Sequence, residues 1–387
     1  MHPYQAAPVA PDRNAAGDAL RVRGWATLYR LFDVGYEIRL DETLALVAEQ
    51  APERVRPVRG EAQAIHIPNP PITLSLGSER LIVDGHRYDV EVAARIFDFG
   101  VVSMRMRVLA PGELTWAEFT DFGNRVDASV ATEQVLHTHL EQLVARIAPA
   151  VDRLGVAQIS EDYVVYRIAS LRDGSGGSVV AAEALRDTDV VPLLLNERRM
   201  LSADARKELL PHRFSYYADD LAILTWDNAL IVDPTPDEET DLQYVLEFAN
   251  AQLLELRFYD ALLDDELPRM YDRIDAARGG GIRFFLNLRF RHLLGRLQKT
   301  VADSTEIVER VENSFKVTDD VYLARVYLAA LEIFRGRAWR SGIDRKLSIV
   351  RETYGMLNDE AQAARSEALE MAIVLLIVLE IILAFFR

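Results

Sequence analysis

Phe97-Asp-Phe-Gly-Val-Val-Ser-Met-Arg-Met-Arg-Val-Leu109 is the stretch on which the reading of the fold turns. Val102, Met104, Met106 and Val108 alternate with Ser103, Arg105 and Arg107, a period of two that a strand sorts onto opposite faces. The apolar set needs a core and the arginines need water, so a half-exposed strand is expected. Residues 29–40, 73–76, 80–83, 88–93 and 163–168 have the β-branched and aromatic content of further strands. Turn signals stand at Gly77-Ser78, Asp84-Gly85 and the Gly/Ser-rich 173–178. Residues 116–122, 128–154 and 203–210 read as helices; 190–195 reads as a strand, and 221–232 as a hairpin about Asp227-Asn228. The expectation is a mixed α/β head over 19–234, with a subdivision near 155–178, after a disordered Ala/Pro-rich start at 1–18.

Past Pro234-Thr-Pro236 the period changes. Leu242, Val245, Leu246, Ala249, Leu253, Leu256 and Leu263 recur at threes and fours behind acids that suit a helix start. Leu347, Val350, Tyr354, Leu357 and Ala361 form a second stripe. Residues 237–365 are therefore expected to form a long-helix bundle or coiled-coil stalk, packed through Leu253, Leu256 and Leu263.

The end reads Met371-Ala-Ile-Val-Leu-Leu-Ile-Val-Leu-Glu-Ile-Ile-Leu-Ala-Phe-Phe386, apolar on every side of a helix. Started at Ala368 it is about 28 Å long, close to the hydrocarbon thickness of a bilayer. The fold class expected is thus α+β, a head and stalk followed by one C-terminal transmembrane helix at 368–386. Ile373, Leu376, Leu379, Ile381 and Phe385 would carry the anchor, with Glu380 in a helix–helix contact or tolerated as a shallow acid. No signal peptide opens the chain, and Arg345, Lys346, Arg351 and Arg365 precede the span, which places the bulk of the chain in the cytoplasm. Four lysines against forty arginines suggest a GC-rich bacterial genome, so the expected location is a bacterial inner membrane, crossed once.

The Phe97–Leu109 stretch, the block 217–266 and the ending from Leu357 onward resemble the required-for-meiotic-nuclear-division and Sad-interacting-factor family. Leu369-Glu370, Leu376-Ile377 and Glu380-Ile381 match that family's terminal helix, while Met371 stands where relatives often place an aromatic residue. The resemblance implies a membrane-anchored oligomer, whose mitochondrial relatives support translation at the inner membrane. It implies no catalytic residues.

Half of the 387 residues are apolar and 27% are charged, which is globular composition with room for two ordinary domains. The net charge of −16 argues against nucleic acid as a partner. The absence of cysteine excludes disulfides, thiolate metal sites and cysteine nucleophiles. Arg278, Arg283, Arg289, Arg291, Arg296 and Lys299 form a basic island interleaved with Phe284, Phe285 and Phe290. It suits lipid headgroups or an RNA backbone, or pairing with the acidic helix 237–266. His137 and His139 lie about 200° apart on a helix and cannot share an ion. Asp219-Asp220, Asp264-Asp265-Glu266 and Asp319-Asp320 match no calcium loop and read as caps or solvated ends. The Gly-Ser-Gly-Gly run at 174–177 lacks the ending of a phosphate loop. No catalytic residue, cofactor or metal is expected. The functional expectation is a homo-oligomeric membrane scaffold or tether, touching lipid and presenting its head to a protein partner. The alternatives are an adaptor for ribosomes or RNA through 278–299, and an enzyme with an unrecognised site in the head.

Overall fold

The computed structural model describes residues 20–50, 52–54, 69–210, 212–236, 239–278, 295, 302 and 321–385. Its strands are β1 (Arg21–Asp33), β2 (Glu37–Ile38), β3 (Glu53–Arg54), β4 (Ile72–Val83), β5 (His86–Ile96) and β6 (Val101–Leu109). They continue as β7 (Leu114–Thr115), β8 (Val151–Asp152), β9 (Ser160–Arg172), β10 (His212–Phe214), β11 (Leu221–Leu224) and β12 (Asn228–Val232). The helices are α1 (Leu40–Leu46), α2 (Trp116–Asp127), α3 (Val130–Ile147), α4 (Ala181–Asp187), α5 (Val191–Leu194) and α6 (Ala203–Leu209). Three more follow: α7 (Asp241–Arg278), α8 (Val321–Ile333) and α9 (Gly336–Phe385).

Ten strands form one sheet in the order β10-β11-β12-β9-β1-β6-β5-β4-β3, with β7 added beside β1. The β12–β9 pair is parallel and the other pairs are antiparallel. One face is the core. Val102, Met104, Met106 and Val108 of β6 are fully buried there with Ala26, Val92 and Tyr166, under Phe119 and Phe122 of α2 and Leu136, Leu140 and Leu143 of α3. Helix α2 starts at a capping box, Thr115 accepting from the Glu118 N–H while the Glu118 carboxylate accepts from the Thr115 N–H.

Several local readings need correction. Gly77 is not a turn: β4 runs through it as a bulge, its φ of +113° absorbing the register shift after Ser75. The turn falls at Asp84-Gly85, both with positive φ, the geometry that joins β4 to β5 as a tight hairpin. Residues 191–194 are a helical turn and not a strand, because a short apolar run carries no period and Pro192 sits at its first turn. Strand β6 is not half-exposed, since Ser103 is fully buried on the face opposite the core.

The loop after β1 is held tightly. Gly35 donates to Asp33 Oδ1 at 3.1 Å, and the Val34 N–H donates to the Gly100 carbonyl at 2.9 Å. Burial pushes the Asp33 carboxyl up to about 7, against the lowering effect of the Gly35 N–H. The folded protein therefore keeps a proton that the unfolded chain has already released, and stability falls as pH rises from about 4 towards 7. Urea unfolding across that window should show the decline in the native chain and a flatter profile in Asp33→Asn.

The chain divides into two compact units, residues 1–255 with 314–335, and residues 256–313 with 336–387. In the second unit α7 and α9 lie side by side and run the same way. Arg257 stands over the Trp339 ring, Asp260 meets Gly342, and Lys346 Nζ pairs with Asp260 and Asp264 at 2.7 Å each. Leu263 and Met270 of α7, and Ile343, Leu347, Val350 and Leu357 of α9, are buried. Helix α7 ends at Arg278, well before α9 does.

Among the described residues no helix is long and apolar enough to cross a membrane. This corrects the expected transmembrane helix at 368–386, and with it the tail-anchored, single-pass inner-membrane location.

Candidate functional site

The sheet face opposite the core is polar, and the register explains why. Arg107 pairs across β1 and β5 with Thr27 and Glu91, Arg105 with Tyr29 and Ala93, and Ser103 with Arg95. Alternation puts all of these on one face. The first turns of α7 cover part of it. They open with a reciprocal cap, Gln243 N–H donating to Thr240 Oγ1 and Thr240 N–H to Gln243 Oε1.

Arg95 is the centre of this face, with its side chain 1% exposed. Its guanidinium donates to both oxygens of Glu239, at 3.0 and 2.8 Å, and to Glu247, and its Nε donates to Thr73 Oγ1 at 3.1 Å. The Tyr244 ring lies 4.6 Å from its Cζ. Arg105 donates to Glu239 at 2.7 Å and stands 3.9 Å from Glu247. Burial alone would raise the Glu239 carboxyl, but Arg105 and Arg95 hold it down at about 2. For Glu247, whose side chain is fully enclosed, desolvation wins over the two arginines and the carboxyl is raised. Arg95 itself is disfavoured by burial and more than restored by its two carboxylates.

Beside the cluster lies a recess of about 110 Å³ lined by Thr27, Tyr29, Glu91, Ala93, Arg105, Arg107, Glu239 and Gln243. Arg107 donates to Glu91 through Nε at 2.9 Å and through Nη2. Tyr29 Oη accepts from Gln243 Nε2 at 3.3 Å. The Arg105 Nε is buried with no hydrogen-bond partner among the described residues. Arg167 of β9, paired with Trp25 of β1, donates to Gln243 Oε1 and to the Asp233 and Thr235 carbonyls.

The sequence-derived candidates fall elsewhere. Leu253 and Leu263 are buried and Leu256 is half-buried. Arg283, Arg289, Arg291, Arg296 and Lys299 lie outside the described residues, as does the Phe385 side chain. Ile373, Leu376, Leu379, Glu380 and Ile381 are all exposed. From Leu369 to Leu383 the large apolar side chains of α9 keep 45% to 66% of their surface, so no face of this segment is buried. His137 packs edge-on against Phe32, and His139 Nε2 sits 2.8 Å from Glu79, so each has a structural contact. Among the described residues no group of acids and histidines is placed to hold a metal ion.

Arg95, Tyr29, Glu239 and Glu247 were not singled out from sequence. The available signal was the arginine face of β6 beside an acidic helix start; the acidic helix does find arginines, on β5 and β6.

Residues 23–238 match the family described as "Uncharacterized protein MJ0711, N-terminal domain". The uncharacterised protein MJ0711 of Methanocaldococcus jannaschii is 29% identical over 202 residues, covering 50% of this chain and 57% of the relative. The chain thus matches little more than half of that relative's length. No solved structure matches. These findings correct the resemblance to the required-for-meiotic-nuclear-division and Sad-interacting-factor family drawn from residues 97–109, the block 217–266 and the ending. The relative is archaeal, so it lends the bacterial expectation drawn from the arginine excess no support. The matched span contains the arginines of the cluster and stops one residue before Glu239, so the carboxylates that close the cluster come from the chain just beyond it. With more than half of its length matched, the chain belongs to the MJ0711 N-terminal domain family.

Proposed function

We propose that this protein is a self-associating scaffold, in which the apolar end of α9 pairs in parallel with the same segment of a second copy. The observation that carries the reading is the exposure of every large apolar side chain between Leu369 and Leu383. Contiguous apolar surface of that extent marks an interaction site. The occupant follows from the spacing. Ile343, Leu347, Val350, Tyr354 and Leu357 recur at alternating fours and threes, and the same rhythm continues through Ala361, Ala364 and Ala368 to Met371, Leu375, Val378 and Ile382. Such a seam is the sequence of a helix that packs against another helix along its length. The first half of α9 already packs beside a parallel neighbour, and the identical segment of a second copy matches the second half in length and apolarity. Glu380 falls about 170° from the seam and stays in water in such a pair. The role of setting oligomeric state passes from Glu380 to Met371, Leu375, Val378 and Ile382.

The chain has no cysteine, so introduced cysteines report without background. Single Met371→Cys, Leu375→Cys, Val378→Cys and Ile382→Cys chains should crosslink to dimers efficiently under mild oxidation, and Ile373→Cys and Glu380→Cys poorly. Equal yields at all six positions, or none, would contradict the seam.

A further inference from the structure

The recess beside the arginine cluster is built for something smaller than a protein partner. We propose that it binds a small free oxyanion of the phosphate class. Its volume of about 110 Å³ exceeds the roughly 30 Å³ share of one water, so it has room for a compact polyatomic ion. The donors are already in place. Arg105 Nε is buried and lacks a partner among the described residues, although the rest of that guanidinium is held by Glu239. Tyr29 is 2% exposed, and its hydroxyl accepts from Gln243, which leaves its own proton for a ligand. Burial raises the Tyr29 hydroxyl, so that proton is present at neutral pH. Thr27 adds a second hydroxyl to the same wall.

Arg95, Arg105 and Arg107 converge on this face beside Glu91, Glu239 and Glu247, and burial raises the Glu247 carboxyl against the pull of Arg95 and Arg105. Guanidinium forks match the geometry of tetrahedral oxyanions, and bonds to them are among the stronger hydrogen bonds a protein makes. Glu91 and Glu239 at the walls set the limit: they repel an extended polyanion such as nucleic acid while leaving space for a single compact ion.

The experiment uses the full chain with inorganic phosphate as the probe and chloride at matched ionic strength as the control. Phosphate should broaden its own phosphorus resonance in the presence of the protein and raise the unfolding temperature saturably, beyond the effect of chloride. Tyr29→Phe, which removes the proton while keeping the ring, should weaken phosphate binding about tenfold, the cost of leaving one charge-assisted hydrogen bond unmade. Because Tyr29→Phe also takes an acceptor from Gln243, Thr27→Val on the same wall provides a second test and should weaken binding in the same direction. A native chain indifferent to phosphate, or binding undiminished by both substitutions, would overturn the assignment.

Discussion

Arg95→Met is expected to destabilise the protein by about 3–5 kcal/mol, the usual cost of removing one partner from a buried ion cluster. Methionine fills much of the same space, so the loss is electrostatic more than steric. It leaves Glu247, fully enclosed, with only Arg105 nearby at 3.9 Å, and it strips Glu239 of two hydrogen bonds while Arg105 still holds it. Glu247 then escapes the penalty by taking up a proton, at a cost that grows with pH. The sign is testable: the deficit of Arg95→Met should be smaller at pH 5 than at pH 8. A second substitution, Glu247→Leu, should return a large part of the stability, because an empty apolar contact is cheaper than an unmatched buried charge. Urea unfolding of the native chain, the single variants and the double variant gives the coupling directly. Additive losses would mean that the cluster is a set of independent contacts.

The second large effect concerns α9. Leu375→Glu combined with Ile382→Glu places two charges on the seam, one seven-residue repeat apart, where each would be desolvated in a paired helix. Pairing should be abolished at all workable concentrations, while the stability of residues 20–236 is unchanged because none of that sheet contains the substituted positions. The matching control, Ile373→Glu with Glu380→Gln, alters the opposite side of the helix and should leave association intact. A loss of association in both variants would point to non-specific apolar contact and not to a seam.

How much of this was legible follows from what each residue's neighbours are. The alternation of Val102, Met104, Met106 and Val108 set β6 correctly because one face of that strand meets a conventional apolar core. The same alternation misled about the other face. Arg105 and Arg107 look solvated in one dimension, and only the pairing with Glu91, Glu239 and Glu247, more than a hundred residues away in two cases, turns them into a half-buried site. No local pattern encodes such a partner. Gly77 shows a smaller version of the difficulty, since a glycine with positive φ serves a turn or a bulge and the sequence alone does not separate them. The helical period past Pro236 was clear, and Leu263 and Leu347 are buried where that period puts them. The end of α9 reads as apolar on every side, but among the described residues no helix is long and apolar enough to cross a membrane.

The resemblance drawn from residues 97–109, 217–266 and the ending is corrected by the family match, which runs through the strands and helices of the sheet domain at 23–238. Arg95, Arg105 and Arg107 sit inside that match, which makes the polar face part of the domain itself, and the α7 start completes it.

The most direct measurement is sedimentation equilibrium of the full chain in detergent-free buffer across a wide concentration range, with a parallel flotation assay on neutral lipid vesicles. Twice the mass of the 43.7 kDa chain, with protein absent from the floated lipid fraction, is the expected result. A monomer at every concentration, or a chain that leaves its own copies to float with the vesicles, would contradict self-association through α9.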